Sequence, residues 1–152
     1  MKPPPSVSVD RHILATFRRE ALKAYPKEHI ASLWGRVRGK TVRILALGPL
    51  KYRATEGSVS ISAEEVEEDQ TAARAEKMRS LGTIHTHTDT SCPRCGCRDA
   101  ADCSPSETDW VNLHESPEVL MGICTVKKNR KRKSTRIRFF LALNPLKVRV
   151  RR

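Results

Sequence analysis

Two β-rich runs on either side of Arg38-Gly39-Lys40 constrain this chain more than any other feature. Leu33-Trp-Gly-Arg-Val37 and Thr41-Val-Arg-Ile-Leu-Ala-Leu47 are dominated by aliphatic and aromatic residues, and Gly48-Pro49 stops the second run. Runs of this kind, bounded by turn residues, read as paired strands, so a hairpin is predicted over 33–47. Ahead of it, Val9, Ile13, Leu14, Phe17 and Leu22 recur at near-helical spacing behind the Pro-rich residues 1–6. With Asp10 as a cap this predicts a helix over 10–24. Pro26 then opens a new turn, and Glu28 to Ser32 leads into the hairpin.

After the hairpin, Ser60 or Ser62 can cap a second helix. The acidic Glu64 and Glu65 suit its N-terminus, and Lys77 and Arg79 precede Gly82 at its end, so the helix is predicted over 62–79. Gly82-Thr-Ile-His-Thr-His87 reads as a short strand, and residues 88–105, rich in Cys, Pro, Gly and Asp, as a loop. A short helix over 106–114 and a second hairpin with arms 119–127 and 134–142 complete the series. Helices and strands interleave without an internal repeat, which makes the class mixed α/β around one sheet. A chain of 152 residues fits one domain and buries enough core to fold without disulfides. The expected organisation is a flexible lead-in over 1–8, a domain over 9–146 with a Cys-rich insertion at 91–103, and a basic tail over 147–152.

Hydrophobic residues make up 38% and charged residues 30% of the chain, a globular balance. No apolar stretch approaches the eighteen or so residues of a membrane span. Met-Lys-Pro-Pro-Pro-Ser lacks the apolar core of a secretion signal, so a cytoplasmic protein is expected, with no membrane partner. Lys and Arg outnumber Asp and Glu by 29 to 17, and the net charge of +12 favours an anionic surface, nucleic acid or acidic protein. Much of the excess lies in Lys127-Lys-Asn-Arg-Lys-Arg-Lys133, with Arg136 and Arg138 close behind. Read plainly, this is a solvated turn and a frayed tail.

Four of the five cysteines fall within twelve residues, Cys92 to Cys103, a clustering that in a reducing compartment suggests metal. Cys92-Pro-Arg-Cys95-Gly is similar to a zinc knuckle, and Cys97 and Cys103 would complete a tetrahedral structural site. Free thiols or a redox-sensitive pair are the alternatives. Cys124, inside the apolar run 119–126, reads as a buried strand residue.

The candidate chemistry centres on His85 and His87. Two apart in a strand, they share a face, where two nitrogens can grip one ion. Ser106-Glu-Thr-Asp109 adds a possible third ligand in Asp109, on the first turn of a helix, with Ser106 one turn earlier on the same face. Three protein ligands leave one position of a tetrahedral ion open, as catalytic zinc requires, and Glu28 is the candidate base. Taken singly, each residue has a plainer reading: an incidental His pair, a solvated Glu, an N-capping Ser.

Together these elements resemble the JAMM/MPN metallopeptidase family, whose pattern is a Glu near a first hairpin, then His-x-His, then Ser-x-x-Asp. Pro26-Lys-Glu28-His-Ile-Ala31-Ser-Leu33-Trp-Gly35 is similar to the glutamate segment, Gly82-Thr-Ile-His85-Thr-His87 to the ligand strand, and Pro105-Ser106-Glu-Thr-Asp109 to the helix start. The resemblance covers roughly residues 9–145. It implies a curved mixed β-sheet flanked by helices, an architecture shared with cytidine deaminases. It also implies zinc held by His85, His87 and Asp109, Glu28 as general base and then acid, and Ser106 stabilising the oxyanion. The implied activity is hydrolysis of a peptide or isopeptide bond, often beside the extended C-terminal tail of a ubiquitin-like or sulfur-carrier protein, which would add as a strand beside the 33–47 hairpin.

The chain departs from the pattern in two places. Thr86 and Thr88 stand where the family usually has Ser and Pro, and twenty-one residues separate His87 from Asp109, where about ten are usual. The surplus is the cysteine segment, which would border the substrate groove. A cytidine deaminase is excluded, since His87 stands where its Glu would be and Ser91 where Pro would precede Cys92. The rival from another class is a binding module, either a non-catalytic JAMM-like scaffold or a nucleic-acid-associated protein using the basic hairpin 127–138. Filled catalytic positions and few aromatics for base stacking weigh against it.

Overall fold

In the computed structural model, the described residues are 6–54, 59–88, 120–141, 144, 145 and 147–152. In chain order they form β1 (Ser6–Asp10), α1 (Arg11–Ala24), β2 (Ile30–Arg38), β3 (Thr41–Gly48), β4 (Arg53–Ala54), β5 (Val59–Ser60), α2 (Ala63–Ala75), β6 (Arg79–Thr88), β7 (Leu120–Asn129), β8 (Arg132–Leu141), β9 (Asn144–Pro145) and β10 (Lys147–Arg151). Eight strands make one mixed sheet in the order β10-β1-β3-β2-β6-β7-β8-β9, and β4 and β5 form a separate two-stranded ribbon. β2 runs antiparallel to β3 and β6, whereas β6 and β7 are parallel. The sheet curls enough that β10, at one edge, touches β8 near the other.

Helix α1 lies in the hollow of that curl. Ile13, Leu14, Phe17 and Ala21 form one stripe at positions i, i+1, i+4 and i+8, all buried. They join Val7, Val9, Leu33, Ile44, Ile84, Cys124, Val126 and Phe139 in the principal core. Residues of β6 and β7 with the opposite parity face away from that core. On that other face α2 packs against β6, and a smaller cluster forms from Met121, Ile123 and Phe140. Ser62 caps α2 through a reciprocal box with Glu65, as the sequence suggested, and the helix stops at Ala75, four residues short of the predicted end.

Two expectations for the chain ends give way. Residues 6–8, expected in a flexible lead-in, belong to β1, which pairs in parallel with both β3 and β10. The alternation Ser-Val-Ser-Val puts Val7 and Val9 into the core, 0% and 1% exposed. The expected basic tail is strand β10, held to β1 over five residue pairs.

The 33–47 hairpin forms as predicted, turning at Gly39 in the left-handed region. Much of its length is already paired on both sides. β1 covers Thr41–Ile44 on one side and β6 covers Ile30–Gly35 on the other. Among the described residues, Leu45–Gly48 of β3 and Arg36–Arg38 of β2 lack a partner strand on their outer sides.

Candidate metal centre

Strand β6 carries His85 and His87 through the middle of the sheet, and every residue from Leu81 to Thr88 is buried. Its pairing with β7 begins at Gly82, whose φ of +147° is open to glycine and whose Cβ, if present, would lie 1.7 Å from the Leu120 carbonyl oxygen. That close approach seats β6 against β7 and accompanies a register shift against β2 between Leu33 and Trp34. Leu81, taken up by the shift, turns into the main core, and from Gly82 onward the ladder is regular to His85.

The two imidazoles converge on the face away from α1. Their Nε2 atoms are 3.0 Å apart, the ring centroids 4.9 Å apart, and the side chains 5% and 4% exposed. A hydrogen bond between two ring nitrogens needs one protonated and one bare, whereas a cation uses both lone pairs. Two nitrogens on one tetrahedral zinc, each about 2.0–2.1 Å from it, are roughly 3.3 Å apart, so a small adjustment fits the pair to zinc. The donor type, burial and convergence therefore suit that ion. Among the described residues, no three His, Cys, Asp or Glu side chains come together in a metal-binding group.

Glu28 lies on the adjoining stretch ahead of β2 and is 6% exposed. Ile30 is registered against His85, and His29 against Thr86 by two bonds: the Thr86 amide donates to the His29 carbonyl at 2.9 Å, and the His29 amide donates to Thr86 Oγ1 at 2.7 Å. Glu28 is thus two residues ahead of Ile30, the partner of His85, and directly before His29, which is tied to Thr86 between the two histidines. The hydroxyl of Thr86, where the family usually has Ser, is used on the other face as the acceptor that holds the Glu28 segment in register.

The remaining predicted site residues, Ser106, Asp109, Cys92, Cys95, Cys97 and Cys103, lie outside the described residues, as does the helix expected over 106–114. Cys124 is buried on β7, as expected, and burial pushes its thiol up to about 12, with Arg18 pulling weakly the other way. It stays protonated and unreactive.

Two groups beside the site were not singled out in the sequence. The His29 ring stacks at a tilt on Phe17 and its Nδ1 shares a hydrogen bond with the Tyr52 hydroxyl. Burial lowers the His29 pKa below 6.5, opposed by Glu20. Asp69 of α2, 7% exposed, accepts from Ser32 Oγ at 2.6 Å, Ser80 Oγ at 2.7 Å and Trp34 Nε1 at 2.8 Å. It pins the helix to β2 and β6. An Asp within the run Glu64–Asp69 looks like one more solvated acid, so only the donors opposite it on β2 and β6 reveal the role.

Residues 10–139 match the family model described as prokaryotic homologs of the JAB domain. This chain belongs to the JAB/MPN family. The JAB-domain fold agrees with solved structures. It is similar to the solution structure of protein DSY2949 from Desulfitobacterium hafniense, with a TM-score of 0.65 at 14% identity over 95% of this chain and 92% of that one. It is also similar to the crystal structure of AF2198, a JAB1/MPN domain protein from Archaeoglobus fulgidus, with a TM-score of 0.53 at 17% identity over 98% of this chain and 99% of that one. At these identities the likeness establishes the fold alone. A search of curated protein sequences finds no significant match. The JAB/MPN family holds both metal-dependent isopeptidases and members without catalysis. No helix among the described residues is long and apolar enough to cross a membrane.

Proposed function

We propose that this JAB-domain protein is a zinc-dependent peptidase or isopeptidase that hydrolyses an amide bond beside the extended tail of a ubiquitin-like or sulfur-carrier protein. The observation that supports it most is the convergence of two buried imidazoles, with Nε2 atoms 3.0 Å apart, beside the segment that carries the buried Glu28. His85 and His87 would hold the ion with Asp109 as third ligand, an assignment that for Asp109 rests on its place in the family pattern. When bound, zinc supplies Lewis-acid polarisation of the scissile carbonyl and lowers the pKa of water.

The chain's own residues carry the proton and the positioning. Glu28 takes a proton from the attacking water and returns it to the leaving amine nitrogen, so the carboxylate is regenerated in each cycle. Ser106 donates a hydrogen bond to the carbonyl oxygen as negative charge develops, an effect of roughly 2.7–4 kcal/mol for one such donor. The buried backs of β6 and β7 keep water away from one side of the reacting bond. An extended tail finds its ladder partner at Leu45–Gly48 of β3, whose Gly48 end is registered against Ser32 and runs toward the site.

Metal content by mass spectrometry, paired with hydrolysis of a fluorogenic amide at the C-terminus of a ubiquitin-like protein, tests the reading. The His85→Ala, His87→Ala double variant loses one zinc and all hydrolysis. Glu28→Gln keeps the zinc and loses about 10²–10⁴ in rate. A Cys92→Ser, Cys95→Ser variant that loses a different zinc establishes the structural site. If the histidine double variant retained every metal ion, the peptidase reading would fail; zinc bound at the histidines with no hydrolysis of any tail would place the chain among the non-catalytic members.

A further inference from the structure

The tip of the β7–β8 hairpin belongs to no part of the proposed active site. Six of its seven residues, Lys127 to Lys133, are Lys or Arg, and no Asp or Glu occurs anywhere from Leu120 to Arg138. Pairing of β7 with β6 reaches Val126, and from Lys127 onward the described ladder is β7 on β8 alone. Residues 127–134 are all exposed. The result is a two-stranded basic ribbon reaching past the sheet.

Two features of the ribbon run against its own stability. Lys128 stands directly opposite Lys133, and like charges facing each other across a ladder repel. Arg130 adopts φ +54°, a conformation that favours glycine or asparagine at a hairpin turn. Charge is kept where a neutral residue would fold better. The ribbon also touches the end of α1. Lys133 Nζ lies 4.9 Å from the centre of the Tyr25 ring, at the end of α1. A groove along that helix is lined by Arg11, Ala15, Arg18, Arg19, Leu22 and Lys23, and Arg19 and Lys23 each pair with Glu20 at 3.5 Å.

We infer that this ribbon binds the phosphate backbone of duplex DNA. Residues 127–134 contain no apolar side chain, so the ribbon lacks the desolvated aromatic or aliphatic centre on which protein partners build affinity. A uniform polyanion needs only dense positive charge. The DNA major groove admits a two-stranded β-ribbon, whereas the narrow major groove of duplex RNA does not. The inference stands independently of the peptidase reading, because it uses neither histidine nor metal.

Fluorescence anisotropy of the full chain with a labelled DNA duplex, titrated from low to high salt, tests it. Affinity falls linearly on a log–log plot, with a slope near −0.9 for each phosphate contacted. The variant Lys128→Gln, Lys131→Gln, Arg132→Gln flattens that slope by about 2.7. Arg130→Gly supplies a second readout: it removes one charge and relieves the turn, so DNA affinity drops while Tm rises. The His85→Ala, His87→Ala variant binds DNA as the parent does. Absence of binding at the lowest salt, a slope unchanged in the triple variant, or tighter capture of a polyglutamate peptide than of DNA would each overturn the inference.

Discussion

Thr86 and His29 are linked twice, once backbone to backbone and once through the threonine hydroxyl, and these two bonds hold the Glu28 segment against the histidine strand. Thr86→Val removes the hydroxyl at constant shape and leaves the His29 amide without its acceptor, at about 1–2 kcal/mol. Thr86→Ser keeps the acceptor and restores most of that loss. Urea midpoints of the two variants check this, and a Val variant as stable as the parent would show that the hydroxyl is idle. The His29 ring makes a separate, pH-dependent contribution. Its pKa in the folded state is lowered by burial from 6.5, so the folded protein prefers the neutral ring. The stability tied to that preference is present above about 6.5 and is lost as pH falls through the lower, folded-state value. His29→Gln is therefore expected to flatten the decline of Tm between neutral and mildly acid pH, and an identical decline in parent and variant would remove the residue from the argument.

At the scale of elements, the pin between α2 and the sheet is Asp69, whose carboxylate accepts from Ser32, Ser80 and Trp34. Asp69→Ala strands the indole N–H and leaves the two hydroxyls, 3.1 Å apart, with only each other. The expected loss is about 3 kcal/mol, or a fall in Tm of roughly 6–12 °C in a chain of this size, measured by calorimetry. An unchanged Tm would mean the carboxylate is not the anchor. Local pattern made the two helices and both hairpins legible, because capping residues, turn glycines and apolar periodicity act within a few positions of one another. The His85-x-His87 pair was legible for the same reason, since a period of two fixes its shared face. Asp69 was not, because its meaning depends on donors thirty-seven and eleven residues away. β1 and β10 were missed for a related cause. Each is five residues long, and their pairing joins Ser6 to Lys147, a contact no local window contains.

That contact between the chain's two ends organises the molecule as a whole. β1 sits between β10 and β3, and α1 follows it without a linker, Asp10 leading directly into Arg11. Four residues beyond the end of α1 comes Glu28. The strand formed by the last residues therefore steadies β1, β1 fixes where α1 enters the curl of the sheet, and α1 delivers the candidate base. The ligand strand β6 is held independently, between β2 and β7. Deleting residues 147–152 is accordingly expected to separate two properties that a general loss of structure would move together. Under the proposed function, zinc binding at His85 and His87 stays while hydrolysis falls, because the Glu28 segment keeps its tie to Thr86 but loses the support that reaches it through β1 and α1. The deletion also turns β1 into an open edge, stripped of the charged Arg149 and Arg151 that discourage edge-to-edge pairing, so sedimentation velocity should show concentration-dependent association absent from the full chain. Truncated protein that lost zinc and activity in equal measure would instead mean that β10 supports the whole sheet rather than the segment leading to Glu28.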